Sequence, residues 1–319
     1  MSTNYLKEPS ELYVYASEKS AIDDSGIYLV GFEFDGTVCF RKGACLGPNS
    51  FREVSEGIEA YSPYLQVDLE EDGIPLYDLG NLVGFGERQE DLYLSLNNSF
   101  EQLTNNLDLK NNNQQIITLG GEHSISLVAI KKYLNQYPDL VLIHLDAHAD
   151  LRDGYLGNYF SHASIIRRSL DHFGPEHSLI QYGIRSGTKE EYQWMNENKS
   201  ICLSRGDFLE RIKNIPKDTP VYVTLDLDFF DPSYLPGTGT PEAGGEDFHT
   251  YISLLKILKE KNFVGGDIVE LAPEIDPTNN SAVFATKVLR EMIACLALAN
   301  NHVGDNLSDN RVGDKNGEC

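Results

Sequence analysis

The chain has 319 residues, 41% of them hydrophobic, and a formal net charge of −23. The apolar share suffices for one large core, whereas the acidic balance argues against nucleic acid and anionic membranes as partners. No run of about 18 apolar residues predicts a membrane-spanning helix.

Strand and helix patterns alternate along the whole chain. The predicted strands are 28–34, 76–80, 116–119, 140–146, 179–184, 201–203, 221–227 and 264–271. The predicted helices are 51–59, 91–107, 124–137, 162–173, 189–197, 207–212, 247–261 and 281–299. This βα repeat predicts an α/β fold with a mostly parallel sheet and helices on both faces. We expect a single domain over 1–300 and a disordered tail over 301–319, which is rich in Asn, Asp and Gly.

The N-terminus and the cysteines bear on the cellular compartment. Residues 1–10 lack the basic and apolar pattern of a signal peptide. The five cysteines show neither metal-ligand nor disulfide-framework spacing. We therefore expect a cytoplasmic protein.

The first cluster of charged side chains follows the buried strand pattern of residues 140–143. It contains His144, Asp146, His148 and Asp150. Since side chains alternate faces along a strand, we expect Asp146, His148 and Asp150 to point the same way. Charged groups at the end of a buried strand are costly unless they are paired or bind metal. His144 has the parity of the same strand face but lies one layer deeper.

Two further elements supply similar groups. Asp226 and Asp228 follow the apolar run 221–225, and His123 follows a short strand that ends in two glycines. Ser124 is a candidate N-cap for the next helix. Ligands of open α/β sheets lie at the carboxyl ends of the strands, so these groups could together form a two-metal site.

Two simpler interpretations of the second cluster are less satisfactory. An EF-hand calcium loop fails, because Phe230, Asp231 and Gly237 occupy positions that need a ligand, a glycine and a glutamate. Turn-capping aspartates would explain Asp231 before proline, but not Asp226 directly after apolar residues. Mixed carboxylate and imidazole ligands without thiolate suit manganese, nickel, iron or zinc.

Five motifs in this order resemble those of the ureohydrolases, the family of arginase and agmatinase. They are Gly-Gly-Glu-His at 120–123, Asp-Ala-His-Ala-Asp at 146–150, Asp-Leu-Asp-Phe-Phe-Asp-Pro at 226–232, Leu-Pro-Gly-Thr-Gly-Thr-Pro-Glu at 235–242 and Asp-Ile-Val-Glu at 267–270. The resemblance covers roughly residues 28–295. It implies the three-layer α/β/α arginase fold, hydrolysis of a guanidinium group, and a homo-oligomer of three or six subunits.

The resemblance also implies a ligand set for two Mn²⁺ ions per subunit, with Ni²⁺ as the alternative. One ion would be held by His123, Asp146, Asp150 and Asp226. The other would be held by Asp146, His148, Asp226 and Asp228. Such a pair of ions can activate a shared water at neutral pH. The resemblance gives His144 no direct ligand role, so we expect it to support the site structurally.

Three further residues receive roles from the same resemblance. Glu270 would bind the guanidinium, since a carboxylate can accept two N–H bonds from its fork. Thr240 would line the substrate pocket. His162 would carry a proton to the leaving amine. Alternatively, Glu270 could cap a helix or form an ion pair. His162 could instead be a surface histidine or the N-cap of its helix.

The expected substrate is a small cationic guanidino compound. The turn at 236–240 and the segments 150–157 and 183–187 resemble agmatinases more than arginases, which implies hydrolysis of agmatine to putrescine and urea. Guanidine, guanidinobutyrate, guanidinopropionate and arginine remain alternatives. We expect the loop 152–161 to determine specificity, with Asp153 and Tyr155 meeting the far amine.

Two other protein classes fit less well. A histone-deacetylase-like enzyme would use one zinc ion and would not need His123 and Asp228 as ligands. A catalytically inactive, metal-binding family member would lack a ligand, Glu270 or His162, and all of these are present.

Overall fold

The computed structural model describes residues 5–86 and 88–302. The strands are β1 Leu6–Lys7, β2 Ser17–Glu18, β3 Gly26–Phe32, β4 Tyr61–Ser62, β5 Val67–Asp68, β6 Leu76–Leu82, β7 Gln114–Leu119, β8 Val141–Leu145, β9 Ser178–Tyr182, β10 Ile201–Cys202, β11 Pro220–Asp226 and β12 Asn262–Val269. The α-helices are α1 Gly47–Glu53, α2 Gln89–Leu103, α3 Ser126–Gln136, α4 Ile165–Leu170, α5 Lys189–Glu197, α6 Arg205–Lys213, α7 Phe248–Leu258 and α8 Asn280–Ala299.

Ten strands form one sheet, in the order β1-β6-β3-β7-β12-β11-β8-β9-β10, with β2 paired to β6 beside this path. Every pairing from β6 to β10 along the path is parallel. Among the described strands of this sheet, the edge strand β1 alone runs antiparallel to its neighbour, and β4 and β5 form a separate antiparallel pair. Parallel strands need crossover connections, and helices supply most of them.

The helices form a layer on each face of the sheet. On β8, Val141, Ile143 and Leu145 belong to one hydrophobic cluster, together with side chains of α6, α7 and α8. Leu142 belongs to the second cluster, together with side chains of α2, α3, α4 and α5. Both faces of the sheet are therefore buried, which explains the nearly continuous apolar runs in its central strands.

The strand order determines where the polar clusters meet. The adjacent strands β7, β12, β11 and β8 all run parallel, so their carboxyl ends lie side by side at one edge. His123 follows β7, Glu270 follows β12, Asp226 ends β11 and Asp146 follows β8. Segments far apart in sequence therefore present their functional groups at one place.

The three-layer α/β/α prediction is confirmed, and the main predicted elements are present. The pattern missed β1, β2, β4 and β5, because their sequences, Leu-Lys, Ser-Glu, Tyr-Ser and Val-Asp, contain no apolar run. Among the described residues, no helix combines the length and the apolar character needed to cross a bilayer. The single-domain organisation stays a prediction. Residues 303–319 of the expected tail lie outside the described residues, whereas His302 is buried and is hydrogen-bonded to Gln115.

Candidate metal centre and substrate cavity

One half of the site is organised around the ring of His123. Its Nδ1 lies 3.0 Å from Asp146 Oδ2, 3.1 Å from Asp150 Oδ2 and 3.4 Å from Asp226 Oδ2. All four side chains are buried. This Nδ1 forms no hydrogen bond within the described part of the chain, although three carboxylates surround it.

The other half is organised around His148. Its Nδ1 lies 2.9 Å from Asp228 Oδ2 and 3.5 Å from Asp146 Oδ1. The ligand atoms of Asp146, His148 and Asp228 all lie within 4.8 Å of one another, and Asp146 also belongs to a second such group with His123, His144 and Asp150. Asp146 therefore connects the two halves, as expected for a residue that bridges two ions.

The backbone achieves this arrangement differently from the predicted strand alternation. Strand β8 ends at Leu145, so residues 146–150 lie in the following loop. Asp150 has φ of 52°, an uncommon left-handed conformation for a non-glycine residue. Asp228 lies in a 3₁₀ turn, and its backbone N–H donates to Asp226 Oδ1 at 2.8 Å. The predicted side chains do converge, but a loop and a 3₁₀ turn bring them together, not the alternation of side chains along a strand.

A hydrogen-bond chain orients His123 toward the carboxylates. Its Nε2 lies 2.9 Å from Thr224 Oγ1, and this hydroxyl donates to Asp267 Oδ1 at 2.7 Å. The single hydroxyl hydrogen of Thr224 is thereby used, so Nε2 of His123 must carry a hydrogen and donate it. Nδ1 is then unprotonated and offers a lone pair, which is the form that binds metal.

His144 supports the cluster from one side. Its Nε2 lies 2.8 Å from Asp146 Oδ2, and its Nδ1 accepts a hydrogen bond from the side-chain amide of Gln181 at 3.1 Å. Nε2 therefore donates to the carboxylate of Asp146. This contact fits the expected supporting role rather than a direct ligand role.

The electrostatics of the cluster favour an added positive charge. Burial and the charges of Asp228 and Asp146 raise the pKa of Asp226 well above its usual range. Burial and the charge of Asp146 likewise raise the pKa of Asp150 to about 6. Divalent ions would relieve this repulsion and restore the ionised forms. The unprotonated, unpartnered Nδ1 of His123 among carboxylates therefore fits a divalent metal site.

A cavity opens beside the cluster and contains the three other predicted site residues. His162, Thr240 and Glu270 all line it, next to His123 and His148. Thr240 Oγ1 donates to Asp228 Oδ2 at 3.3 Å. The structure thus brings all nine predicted site residues into one place.

Glu270 is held in an unusual conformation at the cavity wall. Its φ is 67°, and its Oε1 accepts the backbone N–H of His123 at 2.7 Å. Its Oε2 has no hydrogen-bond partner among the described residues. Burial and the neighbouring charge of Glu122 raise the pKa of Glu270 to about 8, so a bound cation would stabilise its ionised form.

Two residues that the sequence reasoning missed hold His162. Thr37 Oγ1 lies 3.1 Å from His162 Nδ1 and 2.5 Å from Glu122 Oε1. Glu122 is buried, and burial raises its pKa to about 7. The hydroxyl of Ser124 also donates to Glu122 at 2.5 Å. Ser124 lies inside a 3₁₀ turn and Ile125 is the residue before α3, so the predicted N-cap role of Ser124 was wrong. The Glu of the Gly-Gly-Glu-His motif was the signal in the sequence that could have pointed to Glu122.

The ring of His162 is neutral at neutral pH. Burial lowers its pKa to about 4. A neutral imidazole has one nitrogen that can accept a proton and one that can donate. Its Nε2 has no hydrogen-bond partner among the described residues.

The loop 152–161 corrects one expectation. Asp153 is 82% exposed and pairs with Arg168, and it lines a second cavity rather than the one beside the cluster. Arg152 and Tyr155 line the cluster's cavity instead, with the guanidinium carbon of Arg152 4.9 Å from the centre of the Tyr155 ring. Of the two residues expected to meet the far amine, Tyr155 lines the cluster's cavity and Asp153 does not.

A further acidic side chain in the lining of this cavity is Glu191. It lines the cavity and is buried at the start of α5. Its two oxygens accept backbone N–H groups of Leu151 and Thr188, at 2.9 and 2.7 Å. The sequence identified the helix but not its contact with the cavity, since a capping glutamate looks the same in sequence.

Comparison with known proteins decides the family. The model of the arginase family matches residues 25–295. The chain belongs to the arginase family. Among curated relatives, the agmatinase of Bacillus cereus is 40% identical over 286 residues, which are 88% of this chain and 95% of that protein. The N(1)-aminopropylagmatine ureohydrolase of Thermococcus kodakarensis is 34% identical, over 84% of this chain and 90% of that protein.

Solved structures of arginase-family proteins agree with this assignment. The agmatine ureohydrolase of Thermoplasma volcanium superposes with a TM-score of 0.75 at 26% identity, covering 91% of this chain and 96% of that one. The ureohydrolase resemblance and the arginase fold predicted from the motifs are both confirmed.

Proposed function

We propose that this arginase-family protein hydrolyses agmatine to putrescine and urea. The observation that carries the proposal is the unpartnered Oε2 of Glu270, which lies in the wall of the cavity beside the histidine–aspartate cluster. A guanidinium group that donates to this carboxylate would be held next to the residues that bind the ions. The agmatinase of Bacillus cereus, at 40% identity, supports agmatine as the guanidino compound.

The proposed metal ligands are the six residues that converge at the cluster. His123, Asp146, Asp150 and Asp226 would hold one ion, and Asp146, His148, Asp226 and Asp228 would hold the other. Two divalent ions would lower the pKa of a shared water toward 7 and so make a nucleophile available near neutral pH. We propose Mn²⁺, with Ni²⁺ as the alternative, since both accept mixed oxygen and imidazole ligands.

Glu270 would bind and orient the guanidinium. A carboxylate accepts charge-assisted N–H bonds from a guanidinium fork, and the planar group would then be fixed relative to the cluster. Holding the reactants in line is itself a large part of such a rate enhancement. Thr240 would line the same pocket, with its hydroxyl bonded to Asp228.

His162 would move the proton that the leaving amine requires. Hydrolysis adds one water, breaks one carbon–nitrogen bond of the guanidinium and leaves urea and an amine. Since its pKa of about 4 keeps the ring neutral, His162 can take up a proton and pass it to the leaving nitrogen.

The end of the substrate opposite the guanidinium would contact other side chains that line this cavity. Glu191 contributes a carboxylate there, and Arg152 is kept close to Tyr155. An amine tail suits Glu191, whereas a carboxylate tail suits Arg152. A homo-oligomer of three or six subunits and a cytoplasmic location complete the proposal.

The test is the stoichiometry of the products. Purified protein loaded with Mn²⁺ should release urea and putrescine from agmatine in equal amounts, and Asp146→Asn should release neither. Asp153→Asn is the matched control, because Asp153 lies outside the cluster's cavity. Absence of putrescine from the intact, metal-loaded protein would reject the agmatine assignment.

A further inference from the structure

Thr37 connects a buried carboxylate to the ring of His162. Its backbone N–H donates to Glu122 Oε2 at 2.6 Å, and its hydroxyl lies 2.5 Å from Glu122 Oε1. Both residues are buried. Two bonds to one carboxylate fix the position of the Thr37 hydroxyl, since rotation of the side chain would break one of them.

The Thr37 hydroxyl contacts His162 at two atoms, the backbone nitrogen and Nδ1 of the ring. It accepts the backbone N–H of His162 at 3.1 Å and lies 3.1 Å from Nδ1 of the ring. The other nearby group is the Ser161 hydroxyl, which is 3.5 Å from Nδ1 and already accepts the backbone N–H of Ala163 at 3.3 Å. Thr37 is therefore the closer partner of the ring.

Counting hydrogens assigns the tautomer. The carboxylate of Glu122 accepts three hydrogen bonds, from the backbone N–H and the hydroxyl of Thr37 and from the hydroxyl of Ser124. The one hydroxyl hydrogen of Thr37 is then donated to Glu122, and its oxygen offers only lone pairs to His162. Nδ1 must carry the ring hydrogen of the neutral imidazole, and Nε2 must be unprotonated.

We propose that Thr37 is a positioning residue, which holds the imidazole of His162 with Nδ1 protonated and Nε2 free to accept a proton. The inference rests on the proposed role of His162 as proton carrier. Thr37 would act only through His162 and would touch neither substrate nor metal. The arrangement repeats that at His123, where Thr224 donates to Asp267 and accepts from the ring.

The first test observes the ring directly. In protein with isotope-labelled histidine and diamagnetic Zn²⁺, the nitrogen NMR shifts of His162 should show a protonated Nδ1 and a bare Nε2. Thr37→Ser, which keeps the hydroxyl, should give the same pattern. Thr37→Val, which has nearly the same shape, should give a mixture of tautomers. A hydrogen on Nε2 in the unmodified protein would overturn the proposal, whether or not any variant folds.

The second test is a double-mutant cycle on urea release. Thr37→Val should lower kcat roughly ten- to a hundredfold with KM little changed, as for other residues that orient an active group. Thr37→Ser should restore most of the activity. In a His162→Ala background, Thr37→Val should cause no further loss. An undiminished further loss there would mean that Thr37 acts elsewhere and would overturn the proposal.

A control separates loss of positioning from loss of stability. Thr104→Val removes another buried threonine hydroxyl, which donates to the carbonyl of Phe100 at 2.8 Å at the C-terminal end of α2, and it should leave kcat unchanged. If the unmodified protein releases no urea from agmatine, the proposed function fails, while the NMR experiment still tests the tautomer.

Discussion

Glu270 and His123 are joined directly, because the backbone N–H of His123 donates to Glu270 Oε1 at 2.7 Å. The backbone N–H of Glu270 in turn donates to the carbonyl of Gly121 at 2.9 Å. These two bonds connect the ends of β7 and β12. The proposed guanidinium acceptor and a proposed metal ligand are therefore held at a fixed separation, which any substrate bound by Glu270 would share.

The first prediction concerns this acceptor. Glu270→Gln keeps the oxygen that accepts from His123 but removes the negative charge. We expect kcat/KM to fall roughly ten- to a hundredfold for every guanidino substrate alike, because a hydrogen bond to a charged group contributes about 1.5–3 kcal/mol. The exposed Glu274 gives the matched control, Glu274→Gln, which should leave the rate unchanged. A loss confined to one substrate would contradict a role in binding the shared guanidinium.

The second prediction concerns metal content. Elemental analysis of the loaded protein should find two ions per chain, and chelation should abolish activity. Asp146→Ala should lose both ions, because Asp146 belongs to both groups of ligand atoms. Asp153→Ala should keep both. One zinc ion per chain in active protein, or activity without metal, would contradict the two-ion site.

The third prediction concerns the proton carrier. His162→Ala should retain both ions and lower kcat roughly ten- to a thousandfold, the range typical of acid–base groups. His172→Ala, which alters an exposed histidine outside the cavity, is the control. Turnover that is unchanged by His162→Ala at every pH between about 6 and 9 would remove His162 from the mechanism.

The fourth prediction concerns stability at the start of α8. Burial raises the pKa of Asp276, but hydrogen bonds from Ser281 and Thr278 outweigh it and lower the pKa to about 2. A carboxyl with a depressed folded-state pKa stabilises the protein above its unfolded pKa, near 4, and this contribution is lost as pH falls toward 2.

Asp276→Asn removes the charge but keeps an acceptor, so it should lower the free energy of unfolding at pH 7 by about 1 kcal/mol, because hydrogen bonds to a charged group are stronger than those to a neutral one. Denaturant titrations of both proteins across the acid range measure the difference, which should shrink as pH falls from about 4 toward 2. A difference that stays constant over this range would show that the charge of Asp276 contributes nothing.

The sequence predicted the fold and the members of the site because both depend on strong local patterns. Apolar runs followed by Asp or His mark the carboxyl ends of strands, and the ends of adjacent parallel strands meet. The predicted residues therefore converge, even though Asp150 and Asp228 reach the site through a left-handed residue and a 3₁₀ turn.

Contacts between distant segments could not be predicted in the same way. Thr37 and His162 are 125 positions apart, and nothing in either segment indicates the other. Asp153 was expected to contact the substrate because of its charge and its place in the loop, but its carboxylate forms an ion pair with Arg168. The hydrophobic period of a sequence indicates which face of a helix or strand a side chain occupies. Irregular loops have no period, so the sequence does not indicate where their side chains point.

The central claim is that agmatine is the substrate, and the direct measurement is kcat/KM from urea release across a panel. The panel comprises agmatine, N(1)-aminopropylagmatine, arginine, guanidinobutyrate, guanidinopropionate and guanidine, each assayed with Mn²⁺ and with Ni²⁺. We predict agmatine above arginine by at least about a hundredfold, which corresponds to about 2.7 kcal/mol of transition-state discrimination. A higher kcat/KM for arginine, guanidine or another member of the panel would contradict the agmatine assignment.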